Sequence, residues 1–291
     1  MSIRIALAVL ALGLAGAAQA QTAIKVGSKN FTEQYVVGEM YAAALEAAGV
    51  KVERKINLGG TLVAHAALTK GEIDLYPEYT GTGLLVVMKA EAAGGPDAVY
   101  NQVRAHYEKE WQVTWLKPSR VNNGYAMLVR AETAAQYNLR KFSDVAPVAG
   151  RLKLGGGPEL ADRKDGIPGY KERYGIVFGE FRQFASYPLR YKALEEKQID
   201  ILNGFSTDWQ IAAAKHVALE DDKGLFPPYY LTAAARQAAL SGNPAIAPTL
   251  DKVNALLDNA TMQELNRQVE VDKKEPRAVA QAFLRAKGLI K

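Results

Sequence analysis

Short apolar stretches alternate with longer stretches of helical spacing along the chain. Residues 24–26 and 73–75 form short β-rich runs, and residues 35–48 between them carry apolar side chains at the period of a helix. Asn30 is expected to be the N-cap of that helix, with Glu33 completing a capping box three residues later. This alternation of strands and helices predicts an α/β fold with a mainly parallel sheet.

The chain also shows a weak internal repeat. The segment that begins at Ala67, ALTKGEIDLYPEYTG, resembles the segment ALEEKQIDILNGFST in the second half, and the alignment matches Tyr79 with Phe205. In open α/β sheets, ligands bind outside the carboxyl ends of the strands. Two similar lobes that face each other would therefore place these two rings on opposite walls of one cleft.

Two later regions have a different character. Residues 158–174 are rich in charge, glycine and proline, which predicts an exposed loop between short helices. After residue 228 the chain becomes strongly helical, over residues 248–257, 261–269 and 276–286. This C-terminal block is expected to pack back on the first lobe.

Residues 1–20 have the pattern of a secretory signal peptide. Arg4 supplies the positive start, residues 5–17 are apolar, and Ala18-Gln19-Ala20 fits a cleavage site. A membrane anchor is the alternative, but the apolar run is shorter than the roughly 20 residues needed to span a bilayer. No cysteine follows the run, so no lipid anchor is expected. The pattern predicts a mature chain that begins at Gln21 and is located in the periplasm.

Composition excludes several classes of protein. The chain is 48% hydrophobic and has no cysteine, so a disordered protein and a disulfide-rich scaffold are both ruled out. The net charge of +5 comes without a long block of like charge, which gives little support to nucleic-acid binding. The sequence has no phosphate-binding loop, nucleophile elbow or zinc-binding helix motif, and its three histidines are scattered. We therefore expect no enzyme activity, no metal and no cofactor.

Tyrosine is the one over-used chemical group, with 14 residues against 8 Phe and 3 Trp. A quaternary ammonium cannot donate an N–H hydrogen bond, so a box of aromatic faces suits it, each face contributing about 0.5–2 kcal/mol. Micromolar binding requires roughly 8 kcal/mol, much of which three or four faces could supply. Ordinary packing with a wet hydroxyl is the alternative. The tyrosines at predicted strand ends or loops are Tyr76, Tyr79, Tyr125, Tyr229 and Tyr230.

A family resemblance favours the aromatic box over ordinary packing of these tyrosines. Six segments occur in order: VGSKNFTEQ, GEIDLYPEYTGTG, VNNGYAMLV, DRKDGIPGYKERYG, GFSTDWQI and LFPPYYLT. Together they resemble the osmoprotectant-binding proteins of ABC importers, which are periplasmic receptors for glycine betaine, choline and related compounds. The resemblance implies a two-lobed periplasmic binding protein fold, in which each lobe is a mainly parallel sheet flanked by helices. Lobe 1 would comprise residues 21–126 plus 231–291 and lobe 2 residues 127–230, with crossings near residues 125–128 and 229–232.

The resemblance also implies the ligand site. The positions that match the family's aromatic cage are Tyr79, Tyr125, Phe205 and Tyr229, with Tyr230 as a substitute for the last. Asn123 matches the residue whose backbone carbonyl approaches the cation. The positions that match the grip on a ligand carboxylate are Lys29, Thr82 and Arg163. An arginine there can hold both carboxylate oxygens as a fork.

Three departures from the family pattern leave the ligand's identity open. Phe205 stands where the family usually has tyrosine, Trp209 replaces a usual glycine and is expected to wall or narrow the cleft, and Gly124 replaces a common threonine. We expect a betaine, with choline, carnitine or another small amine or amino acid as the alternative. A primary amine needs charged acceptors, and the matched positions offer none. The expected partners are the permease subunits of the importer, and we expect a monomer.

Overall fold

The computed structural model describes residues 22–92, 94–184, 187–213 and 216–291. The predicted signal segment, residues 1–20, lies outside the described residues. Within these ranges, no helix has both the length and the apolar character that crossing a membrane requires.

Strands and helices alternate along the described chain, as the hydrophobic pattern predicts. The strands are β1 (Ile24–Gly27), β2 (Val52–Lys55), β3 (Leu75–Tyr79), β4 (Val113–Trp115), β5 (Tyr125–Arg130), β6 (Lys153–Gly156), β7 (Glu180–Gln183), β8 (Ile201–Phe205), β9 (His216–Leu219) and β10 (Leu231–Arg236). The α-helices are α1 (Thr32–Ala47), α2 (Thr61–Thr69), α3 (Thr80–Thr82), α4 (Pro96–Trp111), α5 (Ala131–Tyr137), α6 (Ile167–Tyr174), α7 (Tyr187–Glu195), α8 (Trp209–Ala212), α9 (Gln237–Gly242), α10 (Ile246–Ala255), α11 (Asn259–Glu270) and α12 (Pro276–Ala286).

The strands form two five-stranded sheets with the same topology. The strand order is β2-β1-β3-β10-β4 in the first sheet and β7-β6-β8-β5-β9 in the second. The first three strands in each order pair in parallel. The fourth strand, β10 or β5, is antiparallel to both of its neighbours. Each antiparallel strand begins where the chain arrives from the other sheet. Flanking helices complete two α/β lobes, one around each sheet.

A partly buried ion pair is repeated in the two sheets and supports the internal repeat. Asp74, before β3, accepts the backbone N–H of Lys25 at 2.9 Å and pairs with Arg236 at 3.2 Å. Asp200, before β8, accepts the backbone N–H of Lys153 at 3.0 Å and pairs with Arg130, also at 3.2 Å. Each arginine is the last residue of the antiparallel strand of its sheet. The two lobes are therefore built on one plan, which brings Tyr79 and Phe205 to equivalent strand ends.

The C-terminal helices pack on the first lobe, as the sequence predicts. Val36 and Met40 of α1 lie in one buried apolar cluster with Leu250 of α10 and Leu284 of α12. The hydroxyl of Tyr41 donates a hydrogen bond of 2.7 Å to the side chain of Asn254. Because α1 is enclosed by these helices, its first turn is held firmly at the edge of the sheet.

The predicted capping box at the start of α1 is wrong. The helix begins at Thr32, its N-cap residue is Phe31, and Phe31 makes no side-chain capping bond. Asn30 instead donates its backbone N–H to the carbonyl of Gly59 at 3.1 Å. The carboxyl group of Glu33 turns away from the helix end because hydrogen-bond donors in the interior engage it.

The chain crosses between the sheets on two paired segments. Asn123 donates its backbone N–H to Tyr229 O at 3.0 Å, and Leu231 donates to Val121 O at 3.0 Å. The first crossing ends before Tyr125 and not within residues 125–128, because Tyr125 already pairs with Phe205 in the second sheet. Side by side, the two segments form one short ribbon behind the cleft.

Candidate functional site

A cavity of about 880 Å³ lies between the two sheets, and eight residues predicted for the site line it. Tyr79 and Phe205 are the last residues of β3 and β8, so the carboxyl ends of parallel strands form its floor. The predicted residues that line it are Lys29, Tyr79, Thr82, Asn123, Tyr125, Arg163, Phe205 and Tyr229. Tyr230, the substitute for Tyr229, is not among the lining residues.

Aromatic rings come to the cavity from both sheets. Tyr125 and Phe205 are direct partners across two antiparallel strands, and their ring centroids lie 5.1 Å apart at an angle of 35°. On the other side, Tyr79 stacks against Phe31 with centroids 6.4 Å apart. The sequence-based prediction missed Phe31, although it lies inside the segment GSKNFTEQ that carries the resemblance. The cavity therefore has an additional aromatic wall next to Tyr79.

Two glycines fix the position of the Tyr229 ring. A Cβ atom at Gly81 would lie 2.6 Å from this ring, and one at Gly124 would lie 3.2 Å from it. The ring therefore packs directly on the backbone at both positions, which explains why Gly124 replaces the larger residue expected there. The hydroxyl of Tyr229 donates a hydrogen bond to the carboxylate of Asp165.

Lys29 is buried in an ion pair at the edge of the cavity. Its ammonium lies 2.5 Å from Glu78 Oε1, and the two side chains are 4% and 0% exposed. The same ammonium lies 4.8 Å from the centroid of the Tyr79 ring. Burial lowers the pKa of Lys29, and the attraction of Glu78 opposes this shift. The lysine is thus held in place by a carboxylate of its own sheet.

The guanidinium of Arg163 makes a two-pronged ion pair with Asp165 of the same chain. Its Nε and Nη2 atoms bond the two oxygens of Asp165 at 2.8 and 2.7 Å. The guanidinium also lies 5.0 Å from the centroid of the Tyr125 ring. Residues 158–174 are therefore not simply the predicted exposed loop, because the side chain of Asp165 is only 1% exposed. Sequence reasoning missed Asp165 because a charged Gly/Pro-rich stretch looks like a solvated loop.

Thr82 and Asn123 reach the cavity from lobe 1 and from the first crossing segment. Thr82 ends the single turn α3 that follows Tyr79, and it is 8% exposed. The side chain of Asn123 bridges the cleft, since Nδ2 donates to Glu33 at 2.9 Å and Oδ1 accepts the N–H of Thr207 at 3.4 Å. These bonds hold the Asn123 backbone at the cavity wall.

The cavity also contains four carboxylates that the sequence did not reveal as site residues, which are Glu33, Glu159, Asp208 and Glu270. The argument against a primary amine considered only the matched positions, and these additional acceptors make it incomplete. The carboxylates are spread around the wall, and the described residues contain no group of three His, Asp or Glu that could hold a metal ion.

Trp209 joins the two lobes and does not line the cavity as expected. Its indole N–H donates to Glu270 Oε2 at 3.0 Å, which ties α8 of lobe 2 to α11 of lobe 1. Asn266, on the same face of α11, donates to Thr207 O at 3.2 Å. Burial raises the pKa of Glu270, and the N–H of Trp209 partly offsets this shift. Trp209 therefore acts at the cleft by connecting the two lobes through this hydrogen bond.

The burial of Asp208 is expected to make the free energy of unfolding depend on pH. Burial raises its pKa to about 7, although hydrogen bonds from the Tyr191 hydroxyl and the Phe205 N–H oppose the shift. The unfolded carboxyl loses its proton near pH 4, so Asp208 reduces stability as the pH rises from about 4 to about 7 and no further above that. Asp208→Asn is expected to remove this loss, because both bonds end on one oxygen that the amide retains.

Urea unfolding at about pH 5 and about pH 8 measures this effect. The variant should gain stability over the unmodified chain mainly at the higher pH, since only there is Asp208 ionised in the folded state. An equal difference at both pH values would contradict the assignment.

Comparisons with known proteins agree on one family. The family profile described as the substrate-binding domain of ABC-type glycine betaine transport systems matches residues 22–286. The glycine-betaine-binding protein of Pseudomonas aeruginosa is 34% identical over 295 residues, covering 98% of this chain and 94% of that protein. A crystal structure described as a glycine betaine/carnitine/choline ABC transporter has 30% identity and a TM-score of 0.79, and covers 92% of this chain and 100% of that one.

A further relative is a longer protein. The ergothioneine transport permease/ergothioneine binding protein of Helicobacter pylori is 34% identical over 265 residues, which cover 91% of this chain. The chain spans about half the length of that relative, 47%. The family is one of receptors and not of enzymes, and the two-lobed architecture with its interlobe cavity agrees with this role. The chain belongs to the family of substrate-binding domains of ABC-type glycine betaine transport systems.

Proposed function

We propose that this protein is the solute receptor of an ABC importer and that it binds a zwitterionic quaternary ammonium compound, glycine betaine or a related betaine. The observation that carries the proposal is the convergence of aromatic rings and two cations, one buried and one partly buried, on one cavity. Tyr79 comes from one sheet and the Tyr125–Phe205 pair from the other, while Lys29 and Arg163 lie beside them. Such a cavity can desolvate a methylated cation and receive a carboxylate at the same time.

The aromatic walls would hold the ammonium end of the ligand. A quaternary nitrogen presents only methyl groups, so ring faces replace its hydration better than hydrogen-bond acceptors do. The named ligands of the relatives fit this chemistry: glycine betaine for the P. aeruginosa protein, ergothioneine for the H. pylori protein and carnitine for a Listeria monocytogenes protein. All three compounds carry both a trimethylammonium group and a carboxylate.

The two cations that lie beside the rings would hold the carboxylate of the ligand. Glu78 engages one of the three N–H donors of Lys29, and Asp165 engages the Nε and Nη2 side of Arg163. The remaining N–H groups of Lys29, the Nη1 group of Arg163 and the Thr82 hydroxyl are then the donors for the ligand. The internal carboxylates orient both cations in advance, which reduces the ordering cost of binding.

Transport requires the two lobes to present the loaded cavity to a membrane permease. We propose lobe 1 as residues 21–126 plus 231–291 and lobe 2 as residues 127–230, with the paired crossing segments as the hinge. The start of β10 at Leu231 and the end of the first crossing before Tyr125 support this division to within about two residues. We also propose that the chain is a periplasmic monomer released by cleavage after Ala20.

Calorimetry with glycine betaine, carnitine, ergothioneine, choline and a primary amino acid tests the proposed function. At least one betaine is expected to bind with micromolar or tighter affinity, and choline at least about tenfold more weakly, since it lacks the carboxylate. Equal binding of choline and glycine betaine would contradict the carboxylate site. Preferred binding of the amino acid would favour the alternative that the protein is a receptor for a primary amine, for which the four cavity carboxylates offer acceptors.

A further inference from the structure

Glu33 is a buried carboxylate that contacts the aromatic cage directly. It is 2% exposed and lies in the first turn of α1. Its Oε1 accepts the Tyr79 hydroxyl at 2.6 Å and the Asn123 amide at 2.9 Å, and its Oε2 accepts the Asn266 amide at 3.2 Å. Three neutral donors from three parts of the chain therefore aim this carboxylate at the edge of the Tyr79 ring.

No cationic side chain of the described residues lies within ion-pair distance of Glu33. Each cation of the cavity wall already has a carboxylate near it: Glu78 for Lys29, Asp165 for Arg163, and Glu159 at 3.9 Å for Arg190. Buried charges in proteins are normally paired, because burying an isolated ion is costly. Glu33, like Asp208, is therefore a buried acidic group of the cavity wall without a cation in the described part of the chain, and Glu33 is the one of these two that contacts the Tyr79 ring.

We propose that Glu33 is the counter-ion of the ligand's quaternary ammonium group and that it makes the site select cationic head groups over neutral ones of the same shape. The inference rests on the proposed function. Glu33 acts partly through Tyr79, since a carboxylate at the phenol hydroxyl makes the ring face more negative, and partly through its own charge across a low-dielectric cavity.

The hydrogen bonding of Glu33 fits a quaternary nitrogen better than a primary amine. A carboxylate has about four lone-pair directions, and three of those of Glu33 already accept hydrogen bonds. A primary ammonium would therefore find at most one free acceptor direction on Glu33, although each of its three N–H groups needs an acceptor. A trimethylammonium group needs no hydrogen-bond acceptor, and it is attracted to the negative charge of Glu33 without one. The site thus offers attraction without competing hydrogen bonds.

The charge of Glu33 can be separated from its shape by comparing two ligands. One is glycine betaine, and the other is its carbon analogue tert-butylacetate, which has the same shape and carboxylate but no positive charge. In Glu33→Gln, the preference for glycine betaine over the carbon analogue is expected to fall about tenfold or more, because only the cation loses an interaction. Competition calorimetry on the full mature chain measures both affinities.

Two further variants serve as controls. Glu39→Gln, on the same helix but paired with Arg54 at 2.8 Å, should leave the preference unchanged. Glu33→Asp keeps the charge and should retain the preference even where it lowers both affinities, which keeps the proposal testable if Glu33→Gln does not fold.

The proposal is overturned if Glu33→Gln weakens both ligands equally, or if Glu33→Asp loses the preference. These outcomes differ from failure of the proposed function, in which the unmodified chain would bind no betaine at all.

Discussion

Replacing Lys29 with methionine is expected to lower the free energy of unfolding by about 3–5 kcal/mol. The substitution leaves the carboxylate of Glu78, which is 0% exposed, buried without its cation. Among the described residues, Glu78 would retain two neutral donors, the hydroxyl of Tyr76 and the backbone N–H of Tyr79. Urea denaturation followed by tryptophan fluorescence measures the loss.

The double variant Lys29→Met/Glu78→Gln distinguishes the contribution of the ion pair to stability from the contribution of side-chain packing. It should recover much of the lost stability, because removing both charges of a buried pair costs far less than removing one. Lys55→Met is the matched surface control, since its pair with Glu53 is about half exposed and is worth at most about 1 kcal/mol. Equal effects of Lys29→Met and Lys55→Met would contradict the buried pair. Because the double variant has no ammonium for the ligand, it should also lose part of its preference for betaine over choline.

Tyr125→Ala is expected to weaken glycine betaine binding by about thirtyfold, which corresponds to roughly 2 kcal/mol. The ring lies against both Phe205, at 5.1 Å, and the Arg163 guanidinium, at 5.0 Å. Its removal would take away one of the faces proposed for the ammonium and also the support of Arg163, which is proposed to hold the carboxylate. Calorimetry at a temperature well below the unfolding midpoint measures the affinity.

Tyr125→Phe is the matched control for this variant. The Tyr125 hydroxyl makes no hydrogen bond to any residue that the structure describes, so phenylalanine retains the ring and removes little else. Its affinity should stay within about threefold of that of the unmodified chain. A similar loss in both variants would mean that the hydroxyl, and not the ring face, carries the interaction.

The internal repeat explains why the sequence located the aromatic residues so well. Tyr79 and Phe205 occupy equivalent strand ends, and strand ends are set by local pattern together with a topology rule. The motif segments add Lys29, Thr82, Asn123, Tyr125, Arg163 and Tyr229, and the structure brings all of these to one cavity. That the eight residues bind a ligand remains a prediction, which the variants above test.

Glu33 and Asp165 illustrate what a local pattern misses. Glu33 has the spacing of a capping residue, and Asp165 lies in a stretch with the composition of a solvated loop. Both acquire their partners from distant parts of the chain: Tyr79, Asn123 and Asn266 for the first, and Tyr229 for the second. Local spacing cannot report such contacts.

The sequence by itself determined the α/β class, the repeated lobes and the aromatic residues that meet at the cavity, because these follow from periodicity, strand ends and motif segments. Only the tertiary structure decided which charged side chains of the cleft form ion pairs with each other. It paired Lys29 with Glu78 and Arg163 with Asp165, and it left Glu33 with neutral donors. The physical reason is that electrostatic energy in a buried site depends on distances between side chains far apart in the chain, and these distances exist only once both sheets have folded and met.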